Sequence, residues 1–215
     1  MTDLQDVLRG KFELYRLLSF GFYYPSIKFY NDLKEKSYYT SIQESIEKIQ
    51  IKTENSDDLY KILTLDGISF EEYESQFILD FETNMPRPSC SLHERHYLKT
   101  TNHAQTLLEL KAFYKNFELS KSDDFDSMED HIILELEFMY FITFKELQAI
   151  QNRLDDQPYK KCKKDFLERH LKNWIPEIVS KAKKNVKSKF HRSLLEITLE
   201  LVENDFSESL KFNTN

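Results

Sequence analysis

Apolar residues recur at intervals of three and four along most of the chain, which is the spacing of helix faces and not the alternation of strands. Leu4, Val7, Leu8, Phe12, Tyr15 and Leu18 line one side of the opening segment. Asp6, Arg9, Lys11 and Glu13 lie between them, and Pro25 stops the pattern. Residues 26–36, 38–50 and 56–65 read as three short helices, the last capped by Ser56. Ser69 followed by Glu72 makes a capping box, and Phe70, Tyr73, Phe77 and Phe81 then share a face. The segment 83–92 breaks the period, because Pro86 and Pro88 force their predecessors into extended conformations. Helical spacing resumes by Tyr97, with Leu107, Leu110, Tyr114 and Phe117 on one side, and a polar acidic linker follows at 119–127.

The most apolar stretch is 128–155. Ile132, Leu136, Met139, Leu147 and Ile150 form its stripe, widened by Ile133, Tyr140 and Phe144, so this helix is expected at the centre of a bundle. Pro158 suits the first turn of the next helix, which is expected to end or kink at Pro176. A last helix carries Phe190, Leu194, Ile197 and Leu201. The reading is all-α, one domain over residues 1–215, a helical bundle of roughly eight to ten helices.

Composition narrows the function. Of 215 residues only three are glycine, Gly10, Gly21 and Gly67, and they are far apart. Phosphate loops, dinucleotide-binding turns and nucleophile elbows need clustered glycines, so these are excluded. Two cysteines, Cys90 and Cys162, do not make a disulfide framework. The longest run without Asp, Glu, Lys or Arg is residues 17–27, too short to cross a bilayer. With no basic, then apolar, leader at its start, the chain is expected to be cytoplasmic and not stably inserted in a membrane.

The net charge of −7 is unevenly spread. Residues 159–192 hold twelve Lys or Arg against three Asp or Glu, whereas 118–137 hold eight carboxylates and one lysine. Both runs read as solvated helix faces, or the acidic one as a surface for a cationic peptide. The basic run carries no nucleic-acid motif, and the overall acidity argues against a nucleic-acid partner.

Three constellations could carry chemistry. Cys90, His93 and His96, with His103 beyond, have ligand types at three-residue spacing but no motif to complete a zinc site. Glu135 and Glu137 lie two apart on a helix and point away from each other, so they are poor acid–base partners. Asp130 and His131 sit at the start of the most apolar helix. There Ser127 would cap, Asp130 would meet the macrodipole, or the pair would line a groove.

Residues 130–139, Asp-His-Ile-Ile-Leu-Glu-Leu-Glu-Phe-Met, resemble a signature of the TorD/DmsD/NarJ-type chaperones, which assemble molybdenum-containing oxidoreductases. Tyr15, Leu18, Phe22 and Pro25 resemble the family's opening motif. Pro88, Leu92, Glu94, Tyr97 and Leu98 resemble its loop, and Phe113, Tyr114, Phe117 and Leu119 the segment before its acidic linker. His170, Leu171, Trp174, Ile175 and Pro176 resemble its late motif. Two departures stand out: Met128 replaces the usual proline two before the Asp-His pair, and Trp174 is the only tryptophan.

The resemblance implies an all-α fold with no catalytic activity of its own, and no cofactor or metal is expected. It implies a partner, the catalytic subunit of a molybdenum-cofactor oxidoreductase, held by its twin-arginine leader or in its apo form until cofactor is inserted. The expected client surface comprises Pro88, Leu92, Glu94, Tyr97, Asp130, His131 and Glu135. The loop 92–97 is most similar to chaperones of the dimethylsulfide, ethylbenzene and selenate-type enzymes. Two rivals stand beside this reading. One is an all-α metal-dependent enzyme using Cys90, His93, His96 or His131. The other is a generic helical interaction module.

Overall fold

The computed structural model describes residues 4–53, 56–82, 88, 90–99 and 102–211, except for the side chains at 56 and 57. Among these residues the chain forms ten α-helices. They are α1 (Leu4–Gly21), α2 (Ile27–Lys34), α3 (Ser37–Ile49), α4 (Ser56–Leu63), α5 (Phe70–Phe77), α6 (His103–Lys115), α7 (Ile132–Gln151), α8 (Gln157–Phe166), α9 (Lys172–Asn185) and α10 (Lys189–Lys211). Wide π turns extend α5 over Ile78–Glu82 and join α8 to α9 over Leu167–Leu171, and Glu94–His96 is a short 3₁₀ turn. No strand occurs among the described residues, as the helical spacing predicts.

Local signals place the helix starts. Ser26 caps α2 by accepting from Phe29 N at 3.2 Å, and Ser69 caps α5 by accepting from Glu72 N at 3.2 Å. Asn102 caps α6, so the helix begins at His103, later than the apolar spacing at Tyr97 suggests. The Ser56 cap and most of the 83–92 loop, residues 83–87 and 89, lie outside what is described. Pro158 sits in the first turn of α8 as expected. Pro176 does not end its helix, and α9 runs on to Asn185. The donor missing at Pro176 would have served Lys172, the first residue of α9, so only one bond at the helix start is lost.

Helix α7 runs through the middle. Helix α1 packs on it, α3 packs on α1, and α9 packs on α10. Ile132, Leu136, Met139 and Leu147 are buried as their spacing predicts, and Ile150, Tyr140 and Phe144 are half-buried. Each fully buried Leu, Ile or Met contributes about 1.5–3 kcal/mol. Gly10 lets α1 and α3 approach closely: a Cβ there would lie 2.9 Å from Lys48 Cβ and 3.1 Å from the Ser45 carbonyl.

Part of the interior between α1, α7, α8 and α10 is charged. Lys11, placed by its spacing on the polar side of α1, is in fact buried. Its amine donates to Asp205 Oδ1 at 2.8 Å and to Glu208 at 2.6 Å. Tyr15 donates to Asp205 Oδ2 at 3.1 Å, and Lys163 bridges Glu146 at 2.7 Å and Asp205 at 3.5 Å. This cluster ties α1, α7, α8 and α10 together. Burial favours neutral Asp205, yet the two amines and Tyr15 outweigh it and hold the carboxyl at about 2.

Candidate functional site

The chain after Cys90 is laid across the start of α7. Glu94 N donates to Asp130 O and Ile132 N to Leu92 O, both at 2.9 Å, making an antiparallel bridge between His93 and His131. With its backbone extended, His131 is the N-cap of α7, and its Nδ1 accepts from Ile133 N at 3.3 Å. Burial, reinforced by His93 and Arg95, lowers the His131 pKa to about 3. A neutral ring is what an accepting cap requires. Ser127, expected as the cap, instead places its hydroxyl 3.2 Å from His93 Nε2. Removing a cap costs about 0.5–2 kcal/mol. His131→Ala is therefore expected to lower the melting temperature at pH 7 by that equivalent, and an unchanged melt would show that the cap is idle.

The carboxylates expected to meet a client lie inside. Asp130, Glu94 and Glu135 are each 0% exposed, and Leu92 is buried. Asp130 accepts from His93 Nδ1 at 3.0 Å and from Arg95 N at 3.2 Å, with the Arg95 guanidinium 3.4 Å away. Burial raises its pKa, but His93 and then Arg95 more than offset this, so the net shift is downward. Glu94 accepts from His170 Nδ1 at 3.0 Å. Glu135 accepts from the Trp174 indole at 3.0 Å, and its other oxygen has no hydrogen-bond partner among the described residues. Burial first, then the charge of Glu94, pushes Glu135 well above the ordinary carboxylate range. Burial thus turns these three side chains toward the loop and the helix interior and away from solvent.

A raised pKa means that the fold holds a proton that the unfolded chain releases, so stability falls as pH rises above the ordinary glutamate value. Glu135→Gln removes that proton requirement and keeps an oxygen acceptor for Trp174. The variant is expected to melt higher than wild type at pH 7 and equally at pH 4. A lower melt at pH 7 would show that Glu135 is held ionised.

What reaches solvent is aromatic. Pro88, His93 and Tyr97 are half-buried, and Tyr97 donates to Ser91 O at 2.6 Å while stacking on Trp174 at 5.7 Å. Rings then run from His93 to His131 at 4.9 Å, to Phe125 at 5.5 Å, to Tyr23 at 6.0 Å and to Phe20 at 6.2 Å. Phe20 is 45% exposed and borders a cleft of about 340 Å³ between α1, α7 and the linker. Leu119, Leu134, Phe138, Tyr140 and Phe141 line it with Phe20, and Glu137 and Arg16 stand at its edge. The linker lines the cleft with Leu119, Ser120 and Lys121, and further along it Asp123, Asp124 and Asp126 are exposed.

The profile of the family described as "Nitrate reductase delta subunit" matches residues 53–180. The chain belongs to this family. Among its relatives, the "Perchlorate reductase assembly chaperone protein" of Dechloromonas aromatica (strain RCB) is 38% identical over 142 residues, 66% of this chain and 63% of the relative. The "Selenate reductase assembly chaperone protein" of Thauera selenatis is 31% identical over 52% of this chain and 58% of its own. The "Chlorate reductase assembly chaperone protein" of Ideonella dechloratans is 29% identical over 56% and 65%. The chain thus spans less than two thirds of the length of these curated relatives. No solved structure matches it significantly.

The delta-subunit family's region contains Cys90, His93 and His96, but the fold does not gather them as a ligand set. Cys90 is buried, with its sulfur 3.5 Å from Tyr97 Oη and 3.9 Å from Ile178 O. Both His93 nitrogens are engaged, by Asp130 and Ser127. No three His, Cys, Asp or Glu side chains converge as a metal requires among the described residues. Nor is any described helix long and apolar enough to cross a membrane. A chelator is expected to leave the melting temperature unchanged, and a fall reversed by zinc would reinstate the metal reading. Glu135 and Glu137 do diverge, to Trp174 and to Tyr23. The spacing of apolar residues missed Arg95, Phe20, Tyr23 and Phe125. The available signal was aromatic density in the uncharged run 17–27.

Proposed function

We propose that this protein is an assembly chaperone for the catalytic subunit of a molybdenum-cofactor oxidoreductase. It binds the subunit's twin-arginine leader or apo form in the cytoplasm and delays export until cofactor is inserted. It performs no catalysis itself. The observation that carries this reading is membership of the delta-subunit family, together with relatives named as perchlorate, selenate and chlorate reductase assembly chaperones.

The surface around Asp130, His131 and the loop Pro88–Tyr97 is the client site in this reading, extended by the ring path into the cleft at Phe20. A leader with cations before an apolar stretch matches an apolar cleft whose bordering linker carries exposed carboxylates further along. Asp130, Glu94 and Glu135 act by holding the loop in place. Leader peptide titrated calorimetrically into the protein should bind, and more weakly at raised salt. Burying one aromatic side chain contributes about 1.5–3 kcal/mol, so Phe20→Ser should weaken binding roughly tenfold or more. Equal binding by Phe20→Ser would place the leader elsewhere, and no binding by wild type would reject the leader role.

A further inference from the structure

Among the residues that line the cleft at Phe20, Glu137 is the only carboxylate. It is half-buried, and its Oε1 accepts from the Tyr23 hydroxyl at 2.8 Å. No cation among the described residues pairs with it, and burial raises its pKa more than the tyrosine hydroxyl lowers it. The two cations that line the cleft are engaged elsewhere. Arg16 Nε donates to Glu13 at 3.0 Å, and Lys121 donates to Ser127 O at 2.6 Å. The rings of the cleft already take cations on their faces. The Arg16 guanidinium lies 5.4 Å from the centre of Phe20, and Lys145 Nζ lies 5.6 Å from that of Phe141.

A half-buried carboxylate without a counter-charge is costly to keep ionised, and a cation entering from solvent removes that cost. A guanidinium suits this setting better than an ammonium. It is planar and weakly hydrated, it stacks on rings such as Phe20, Tyr140 and Phe141, and it can give two parallel hydrogen bonds to one carboxylate. The Tyr23 hydroxyl fixes the direction of the carboxyl and leaves its other oxygen for a guest. We propose that Glu137 reads arginine in the client: one of the leader's two arginines sets its guanidinium on Glu137 among the rings, and the apolar stretch that follows fills the rest of the cleft. This rests on the leader role proposed above and adds to it a single recognition contact. One carboxylate receives one guanidinium, so the two arginines are unequal, and lysine is a poor substitute at the one that Glu137 holds.

The test titrates wild type and Glu137→Gln with the leader peptide, and with versions in which the first or the second arginine is replaced by lysine or by glutamine. Glutamine keeps an oxygen for Tyr23, and thermal melts of both proteins separate a binding loss from unfolding. Glu137→Gln should bind the unmodified leader about tenfold more weakly than wild type, or weaker still. At one arginine position, lysine should weaken binding to wild type and glutamine should weaken it further, yet neither should weaken binding to Glu137→Gln. The other arginine should matter by the same factor in both proteins, since it does not share the contact. Equal binding of the unmodified leader by the two proteins, or an arginine dependence that survives in full in Glu137→Gln, overturns the Glu137 contact and leaves the leader role standing. Lysine that serves wild type as well as arginine at both positions likewise overturns it. No binding of any leader by wild type overturns the leader role and the contact together.

Discussion

Asp205→Ala is expected to destabilise the protein by about 3–5 kcal/mol, the cost of breaking a buried ion pair by removing one partner. The carboxylate is 1% exposed and receives Lys11, Tyr15 and Lys163. Its loss strands the Lys11 amine with only the partly exposed Glu208 and weakens the hold on Lys163. For a chain of this length each kcal/mol moves the melting temperature by about 2–4 °C, so the fall should be roughly 6–20 °C. Replacing Lys11 by Met in the same chain should recover part of the loss, because the stranded charge is gone. A pH series adds a signature. A carboxyl whose pKa is depressed on folding contributes stability above its unfolded value near 4, and that contribution is lost as pH falls toward about 2. The gap between wild type and variant should narrow over that window. A gap that is constant from pH 7 to pH 2 would show that Asp205 is not held ionised.

The second large effect is at Asp130. Asp130→Ala removes the acceptor for His93 Nδ1 and Arg95 N, and separates the Arg95 guanidinium from its counter-charge. A charge-assisted hydrogen bond is worth about 1.5–3 kcal/mol, and stability should fall by that order. The effect should not stop at stability. The same carboxylate fixes His93 and the turn at Arg95, which carry one end of the ring path to the cleft. Leader binding should therefore weaken too, through a displaced loop and not through a lost ion pair. Asp130→Asn, which keeps an oxygen for Arg95 N, should retain more of both properties. Because the side chain is buried, the binding defect should be nearly independent of salt, in contrast to the wild-type affinity itself. A defect that disappears at high salt would show Asp130 touching the cationic peptide directly.

Much of this arrangement was legible in the chain. The spacing of Ile132, Leu136, Met139 and Leu147 identified the central helix, and Ser69 and Pro158 marked helix starts, because each signal is local. The Lys11–Asp205 pair was not legible. Its partners are 194 residues apart, and a lysine at a polar position of an amphipathic pattern gives no sign that it will be buried. The place of Asp130 and His131 at the start of the central helix was legible, but not their geometry. Histidine is an uncommon cap, so the acceptor role fell to Ser127 on propensity, and the loop that covers Asp130 arrives from residues 92–95. The exposed path from Phe20 to Phe125 depends on the turn after α1 meeting the linker before α7, a contact that spacing along either segment does not encode.

The assembly role is tested most directly by the metal content of the client. The catalytic subunit of a neighbouring or cognate oxidoreductase would be expressed with wild-type chaperone, with Phe20→Ser and with none, and its molybdenum measured per mole of purified subunit. The account predicts near-stoichiometric molybdenum with wild type, a reduced fraction with Phe20→Ser and little without the chaperone. Equal molybdenum in all three would contradict it.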